Sequence, residues 1–346
     1  MKINQLIKFF SNKSVFITGG TGSLGNELIK IFLTDFKLRK LIIFSRDELK
    51  QSEMIRAYSK NDKRGILRFF LGDVRDLERL KFAMRNVDFV IHAAALKHVD
   101  LAEYNPMEYV NTNIAGGKNV IEASFYNKVS KIVALSTDKA ANPINLYGAT
   151  KLVSDKLFVS SNNISGNEKT KFSVVRYGNV VSSRGSVIPF FLDLEKKNAN
   201  FFPITDIKMT RFWITLRESA YLVINSFYRM YGGEIYVPKI PSIKIVDVAK
   251  AIAPNKKIKI VGIRPGEKLS EILCSKDEYF NTIEFKNYYV VKPSIRFSDK
   301  DVNYLKSKEG EKGKIVAKNF EYSSSNNKKF LSVNDLKKFI KNELKK

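Results

Sequence analysis

The chain has 346 residues, a formal net charge of +25 and one cysteine, Cys274. That length allows one sizeable hydrophobic core with a smaller companion lobe, and an apolar fraction of 44% can fill both. A single cysteine excludes an intrachain disulfide and fits a reducing cytoplasm, where we expect the protein. No apolar run approaches the roughly 20 residues that cross a bilayer. The basic start, Met1–Phe10, is too short for a signal peptide, so we expect no membrane association.

The basic excess leaves two interpretations open. The lysines are scattered from Lys2 to Lys346 and do not form a basic tract with interleaved aromatic residues. We interpret the charge as a general compositional bias together with a site for an anionic small molecule, and we expect no nucleic-acid partner. The alternative is a polyanion that binds the protein surface.

Short apolar runs alternate with segments of helical length in the first half of the chain. The runs are Ser14–Ile17, Lys40–Phe44, Leu67–Leu71, Phe89–Ala93, Lys131–Leu135 and Phe172–Arg176. Continuous apolar runs between helices indicate strands that are buried on both faces, so we predict an α/β fold with a Rossmann-type doubly wound parallel sheet.

The pattern loosens beyond Gly178, where prolines separate shorter elements before a last amphipathic helix at Val333–Leu344. We therefore assign residues 1–178 to a dinucleotide-binding domain that also carries the catalytic residues. Residues 179–346 are assigned mainly to a smaller C-terminal substrate-binding lobe, with some segments returning to the first domain.

A glycine-rich loop follows the first predicted strand and leads into a helical stretch, Glu27–Leu33. Glycine permits a tight turn and a close approach of the backbone to a pyrophosphate, while the helix N-terminus offers free N–H groups. A glycine-rich turn without a ligand is the alternative, but the flanking strand and helix argue against it. The predicted dinucleotide contacts in this loop are Gly19, Thr21, Gly22, Ser23, Leu24 and Gly25.

The end of the second strand indicates which dinucleotide binds. An NAD site usually has an acidic side chain there, whereas NADP sites place arginine near the 2′-phosphate. We predict NADP, with a solvated charged loop as the alternative. Asp73 and Val74, after the third strand, are suited to the adenine, and Ala93, after the fourth, offers a small side chain beneath the cofactor. The residues at the end of the second strand are Ser45, Arg46, Asp47, Glu48, Leu49 and Lys50.

Tyr147 and Lys151 lie one turn apart in a predicted helix, Asn145–Phe158. A nearby ammonium favours the phenolate, so the tyrosine can remove a proton from a sugar hydroxyl despite a reference pKa of about 10. Such a pair also occurs by chance, but its position downstream of a glycine loop makes it a specific prediction.

The fifth strand ends in Thr137, Asp138 and Lys139, at the edge of a parallel sheet where substrates bind. We expect Thr137 to hydrogen-bond the oxygen that becomes a carbonyl. Removal of water across carbons 5 and 6 of a sugar also needs a base and an acid, which Asp138 and Lys139 supply in an order that the sequence leaves open. An exposed ion pair is the alternative. We expect no metal ion at the site.

Several segments carry a resemblance that spans about Val15 to about Asn327. The chain resembles the inverting UDP-N-acetylglucosamine 4,6-dehydratases of the extended short-chain dehydrogenase/reductase superfamily. It departs from them at Leu24, where phenylalanine is often found, and at Ser182, where glycine is common. The segments are Ser45–Glu53, His92–Val99, Ser136–Lys151, Val175–Val180, Met209–Trp213 and Arg264–Lys268.

The resemblance implies that UDP-N-acetylglucosamine is dehydrated in the first step of pseudaminic acid biosynthesis, toward flagellin and other surface glycans. It also implies a homo-oligomer, a hexamer built from dimers. Asp138, Lys139 and Tyr147 would be catalytic, and Lys151 would anchor the nicotinamide ribose. NADP would be lined by Thr21 to Leu24, Ser45 to Lys50, Asp73, Val74, Ala93 and Lys97.

The resemblance further implies a set of substrate-binding residues, in which arginines suit a diphosphate and a carboxylate suits ribose hydroxyls. Two rival functions stay open. One is a UDP-sugar 4-epimerase, or a multifunctional dehydratase and epimerase that serves capsule synthesis. The other is a non-catalytic NADP-binding regulator that binds nucleic acid through its charge. The implied substrate-binding residues are Lys97, Asn179, Arg211, Arg264 and Glu267.

Overall fold

The computed structural model describes residues 3–165, 170–181, 187–295 and 302–343. The predictions that concern Ser182 and Leu344 lie outside these residues. The helices are α1 Ile3–Phe10, α2 Ser23–Asp35, α3 Glu48–Tyr58, α4 Leu77–Ala83, α5 Val99–Tyr104, α6 Pro106–Tyr109, α7 Gly116–Tyr126, α8 Leu146–Ile164, α9 Val187–Lys196, α10 Leu216–Arg229, α11 Ile245–Ile252 and α12 Val333–Glu343. The strands of the first half are β1 Ser14–Thr18, β2 Lys40–Ser45, β3 Leu67–Leu71, β4 Phe89–His92, β5 Lys131–Thr137 and β6 Lys171–Tyr177. Those of the second half are β7 Phe201–Ile204, β8 Thr210–Phe212, β9 Ile235–Pro238, β10 Ser242–Lys244, β11 Lys257–Ile260, β12 Ile272–Cys274, β13 Thr282–Glu284, β14 Tyr288–Val291, β15 Lys314–Ile315 and β16 Tyr322–Ser323.

The main sheet has ten strands in the order β15-β13-β14-β9-β6-β5-β4-β1-β2-β3. Neighbours from β3 across to β9 are parallel, which confirms the predicted Rossmann-type sheet. The six predicted strands correspond to β1–β6, with ends that differ by a residue or two. Beyond them, β9 extends the parallel part, and β14, β13 and β15 add an antiparallel margin.

Two apolar cores cover the two faces of the sheet. The central strands β1 and β4 are therefore buried along their whole length. Helix α1, in the basic start of the chain, belongs to one of these cores. Its Phe10 is fully buried and contacts the rings of Phe32, Phe89 and Phe227. The segment before β1 is therefore an integral part of the first domain.

A third core lies in the second half of the chain and belongs to a smaller lobe. It is formed by α9, α11 and α12 with β7, β10 and the residues on either side of β8, around the buried side chains of Phe191, Phe202, Trp213, Val248 and Leu336. Helix α10 packs on α2 instead, and β9, β13, β14 and β15 join the main sheet. Among the residues that the structure describes, no helix is both long enough and apolar enough to cross a bilayer.

Candidate active site

A cleft of about 880 Å³ opens along the carboxyl ends of the parallel strands. Most of the predicted site residues line it, although they come from distant parts of the chain. Glu48, Leu49, Arg211, Arg264 and Glu267 lie outside its wall. The predicted residues in the wall are Gly19, Thr21, Gly22, Ser23, Leu24, Gly25, Ser45, Arg46, Asp47, Lys50, Asp73, Val74, Ala93, Lys97, Thr137, Asp138, Lys139, Tyr147, Lys151 and Asn179.

The glycine loop forms the floor of the cleft between β1 and α2. Gly19 has a φ of +63°, and a Cβ there would lie 2.8 Å from the backbone of Ala94. A Cβ on Gly25 would lie 2.0 Å from the carbonyl oxygen of Gly20, so the first turn of α2 can pack on the loop only through glycine. The N-terminus of α2 consequently opens into the cleft, where its N–H groups suit a pyrophosphate.

Basic side chains surround the end of β2. Thr21 and Ser45 share a hydrogen bond of 2.9 Å between their hydroxyls, which ties the glycine loop to this strand. Arg46 is largely exposed and lies 3.4 Å from Asp73, while Lys50 pairs with Asp47, the residue that caps α3. The Arg46 guanidinium and the Lys50 ammonium thus border the cleft, in positions that suit a bound phosphate. Glu48 and the exposed Leu49 begin α3 beside them.

Asp73 also forms an ion pair with a second arginine, Arg75. Burial raises the pKa of Asp73, but the hydrogen bonds and charge of Arg75 outweigh this effect and hold that pKa below its usual value. The carboxylate is therefore charged at neutral pH and already engaged by two guanidinium groups, those of Arg46 and Arg75.

Helix α8 brings Tyr147 and Lys151 to the cleft. It begins at a cap in which the Asn145 side chain accepts a hydrogen bond of 2.8 Å from the Gly148 backbone. A Cβ on Gly148 would lie 2.2 Å from the carbonyl oxygen of Lys139, so only glycine lets α8 approach the turn Asp138–Ala140 so closely. This approach sets the catalytic tyrosine candidate beside the end of β5.

The Tyr147 side chain is buried and hydrogen-bonds to Thr137. Burial raises the pKa of Tyr147 to about 12, while the charge of Lys139 and the bond to Thr137 oppose the rise. We expected Lys151 to supply the ammonium that favours the phenolate, but the principal ammonium is that of Lys139. Burial lowers the pKa of Lys151, and the charge of Asp155 opposes this effect.

Asp138 and Lys139 form a buried cluster with a carboxylate that the sequence did not single out, Glu271. The Lys139 Nζ lies 3.2 Å from Asp138 Oδ1 and 3.0 Å from Glu271 Oε1. Asp138 and Glu271 are 1% and 2% exposed, so the pair is not the exposed ion pair that was the alternative. Burial lowers the pKa of Lys139, but the charges of Asp138 and Glu271 outweigh it and leave that pKa above its usual value.

Of the predicted substrate-binding residues of the second half, Arg211 contacts this cluster directly and Glu267 contacts Arg211. Arg211 is buried, donates to the Thr210 backbone at 2.8 Å and lies 3.5 Å from Glu267 and 3.7 Å from Glu271. The exposed Arg264 lies on the loop that ends at Lys268. The carbonyl of Gly266 in that loop accepts a bond of 2.8 Å from Asn145, so the loop is attached to the cap of α8.

The sheet order, the glycine loop and the Tyr147–Lys151 pair in one cleft define an extended short-chain dehydrogenase/reductase. A family profile described as polysaccharide biosynthesis protein matches residues 15–293. An inverting UDP-N-acetylglucosamine 4,6-dehydratase from Campylobacter jejuni is 57% identical over 96% of this chain and 98% of its own length.

Two further proteins are similar over nearly the whole chain. A UDP-glucose 4-epimerase from Rickettsia bellii is 41% identical over 96% of each protein. The crystal structure of Pen from Bacillus thuringiensis superposes with a TM-score of 0.85 at 35% identity, covering 97% of this chain and 99% of that one. The chain belongs to the polysaccharide biosynthesis protein family and, within it, to the family of inverting UDP-N-acetylglucosamine 4,6-dehydratases.

Proposed function

We propose that this protein uses NADP to dehydrate UDP-N-acetylglucosamine with inversion at carbon 5. The product would be UDP-2-acetamido-2,6-dideoxy-β-L-arabino-hex-4-ulose, and the reaction would be the first step of pseudaminic acid biosynthesis. The observation that carries the proposal is the pair formed by the buried Asp138 carboxylate and the partly buried Lys139 ammonium, 3.2 Å apart, beside the hydroxyl of Thr137 and the phenol of Tyr147. Elimination of water needs such an acid and base in addition to the residues of a dehydrogenase.

The residues at the glycine loop fit NADP. Gly19 lets the loop pack closely on the backbone of Ala94, the cleft opens at the α2 N-terminus, and Arg46 and Lys50 border the cleft where a 2′-phosphate would lie. Lys151 would anchor the nicotinamide ribose. When bound, NADP would accept a hydride from carbon 4 of the sugar and return it to carbon 6.

The protein residues would move the protons. Tyr147 takes the proton of the carbon-4 hydroxyl while Thr137 holds that oxygen. The new ketone acidifies the carbon-5 hydrogen, and the Asp138–Lys139 pair removes it and protonates the carbon-6 hydroxyl, which leaves as water. A proton then returns to the opposite face of carbon 5. Electrons balance because the hydride taken from carbon 4 ends on carbon 6.

The substrate's nucleotide would lie toward the second half of the chain. Asn179 lines the cleft, and Arg264 and Glu267 lie on the loop attached to the α8 cap. An arginine on a loop beside the cleft suits a diphosphate, and a carboxylate suits ribose hydroxyls. Because Arg211 is already bound by Thr210 and two carboxylates, we propose that it acts mainly by orienting Glu267 and Glu271.

The test is incubation of the purified protein with UDP-N-acetylglucosamine in deuterated water, followed by NMR and mass spectrometry of the nucleotide sugar. We expect a 6-deoxy-4-keto sugar that has lost one water and carries solvent deuterium at carbon 5. The relatives named UDP-glucose 4-epimerase make epimerisation the second candidate. A product of unchanged mass that differs only at carbon 4 would establish that activity, and no turnover at all would favour a regulator.

A further inference from the structure

We infer that Glu271 is a positioning residue of this site, which holds Lys139 in place and in its ammonium form beside Asp138. The inference rests on the proposed function, because it concerns the acid and base that act on the sugar. Glu271 lies immediately before β12, in the second half of the chain, and none of its atoms needs to contact the substrate for this role.

The geometry around the Lys139 ammonium is that of one cation between two carboxylates. Its nitrogen lies 3.2 Å from Asp138 and 3.0 Å from Glu271, and both carboxylates are almost completely buried. A buried carboxylate is unfavourable without a compensating charge, so the Lys139 ammonium compensates both acids, and the Arg211 guanidinium, 3.7 Å from Glu271, adds a second positive charge beside that carboxylate. Removal of the Glu271 charge would leave Lys139 with one fewer anionic partner.

The backbone holds Glu271 in this position independently of its carboxylate. Its N–H donates to the Ser324 hydroxyl at 2.9 Å, and its carbonyl accepts from the Ser324 N–H at 2.8 Å. The Ser324 hydroxyl in turn donates to the carbonyl of Thr210. A change of the carboxylate to an amide leaves these bonds intact, so the local fold should survive it.

Two carboxylate oxygens of the cluster have no hydrogen-bond partner among the described residues, Asp138 Oδ2 and Glu271 Oε2. Unsatisfied buried oxygens are rare unless a ligand or water completes the site. A Cβ added to Gly178 would lie 3.3 Å from Asp138 Oδ2, so glycine leaves room beside this oxygen. Asp138 lines the cleft and Glu271 does not, so the Asp138 carboxylate is the one that we assign to the sugar, while Glu271 acts behind Lys139.

Two substitutions of Glu271 distinguish the effect of its charge from the effect of its position. Glu271→Gln keeps the length of the side chain and removes its charge, so the pKa of Lys139 should fall. The limb of the kcat–pH profile that reports Lys139 should then move to lower pH by about one unit or more. Glu271→Asp keeps the charge but withdraws it from the ammonium, so it should lower kcat by roughly 10²-fold with a smaller shift of that limb. KM and NADP content should change little in both variants.

Asp277→Asn is the matched control, since it removes one negative charge from an exposed residue of the same segment. Its pH profile should equal that of the wild type. A wild-type profile and rate in Glu271→Gln would overturn the inference, and so would loss of folded, NADP-loaded protein in both Glu271 variants, since the role would then be structural. Wild-type protein that makes no 6-deoxy-4-keto sugar would instead contradict the proposed function.

Discussion

The side-chain nitrogen of Lys139 lies 3.0 Å from Oε1 of Glu271, although Lys139 follows β5 and Glu271 precedes β12. The acid–base cluster therefore draws on both halves of the chain. Arg211, in β8, lies 3.7 Å from the same Glu271 oxygen. The predicted boundary between residues 178 and 179 divides the sequence, but residues from both sides of it contribute to the candidate active site.

The basic pair at the end of β2 should select the cofactor. We expect purified protein to carry NADP, and Arg46→Asp should shift the preference toward NAD because a carboxylate repels the 2′-phosphate. The measurement is chromatographic identification of the released cofactor, with titration of both cofactors into the stripped protein. Arg56→Asp, the same charge change on an exposed residue of α3, should keep the NADP preference. Recovery of mostly NAD from the wild type would contradict the prediction.

The loop that contains Arg264 and is attached to the α8 cap should bind the diphosphate of the UDP-sugar. Arg264→Ala should weaken binding of UDP by roughly 1.5–3 kcal/mol, the usual range for a hydrogen bond to a charged group. Calorimetric titration with UDP measures this, and NADP content should be unchanged. Lys257→Ala removes another exposed cation of the lobe and serves as the control. Normal UDP affinity in Arg264→Ala would place the diphosphate elsewhere.

Variants of Lys139 and Tyr147 should be impaired at different steps of the proposed reaction. Lys139→Ala should slow but not abolish hydride transfer from carbon 4, because the Lys139 charge also favours the Tyr147 phenolate, so the absorbance of reduced cofactor should rise slowly or, with a fast return step, stay unchanged. Product formation should fall on the order of 10²–10⁴-fold, the usual contribution of a positioned acid or base. Tyr147→Phe should block the first oxidation, so reduced cofactor should not accumulate. Turnover of Lys139→Ala near the wild-type rate would remove the main physical support for dehydration.

Acid should destabilise the protein through His92, which is 1% exposed and bonded to Thr18 at 2.9 Å. Burial, aided by the charge of Lys151, lowers the pKa of His92 to about 3. The unfolded chain, with an ordinary pKa of about 6.5, therefore binds the proton first, so stability is full above that value and is lost as the pH falls toward 3.

Urea denaturation should show this loss as a decrease of about 2 kcal/mol in the free energy of unfolding between neutral pH and roughly pH 5. His92→Gln should be less stable at neutral pH but should lose part of the pH dependence. An equal slope in both proteins would show that other groups dominate the acid transition.

The parts of the site that follow strands and helices were predictable from the sequence. The glycine loop and the Tyr147–Lys151 spacing are local patterns, because the elements that carry them are formed by neighbouring residues. Glu271 was not predictable, since its contact with Lys139 depends on how the second half folds back. Its position just beyond Arg264–Lys268 was the available signal. The raised pKa of Tyr147 was also missed, because burial depends on the whole fold.

The pairing of β6 with β9 has a consequence for synthesis on the ribosome. When the first half of the chain has emerged, β5 already flanks one side of β6, whereas the strand that covers its other side belongs to sequence made later. The five middle residues of β6 are buried, and three of them (Phe172, Val174 and Val175) are apolar, so an uncovered strand of this kind readily pairs with another chain. Synthesis of β9 covers this edge, and β13 and β14, which are made later still, then complete the margin of the sheet beyond it.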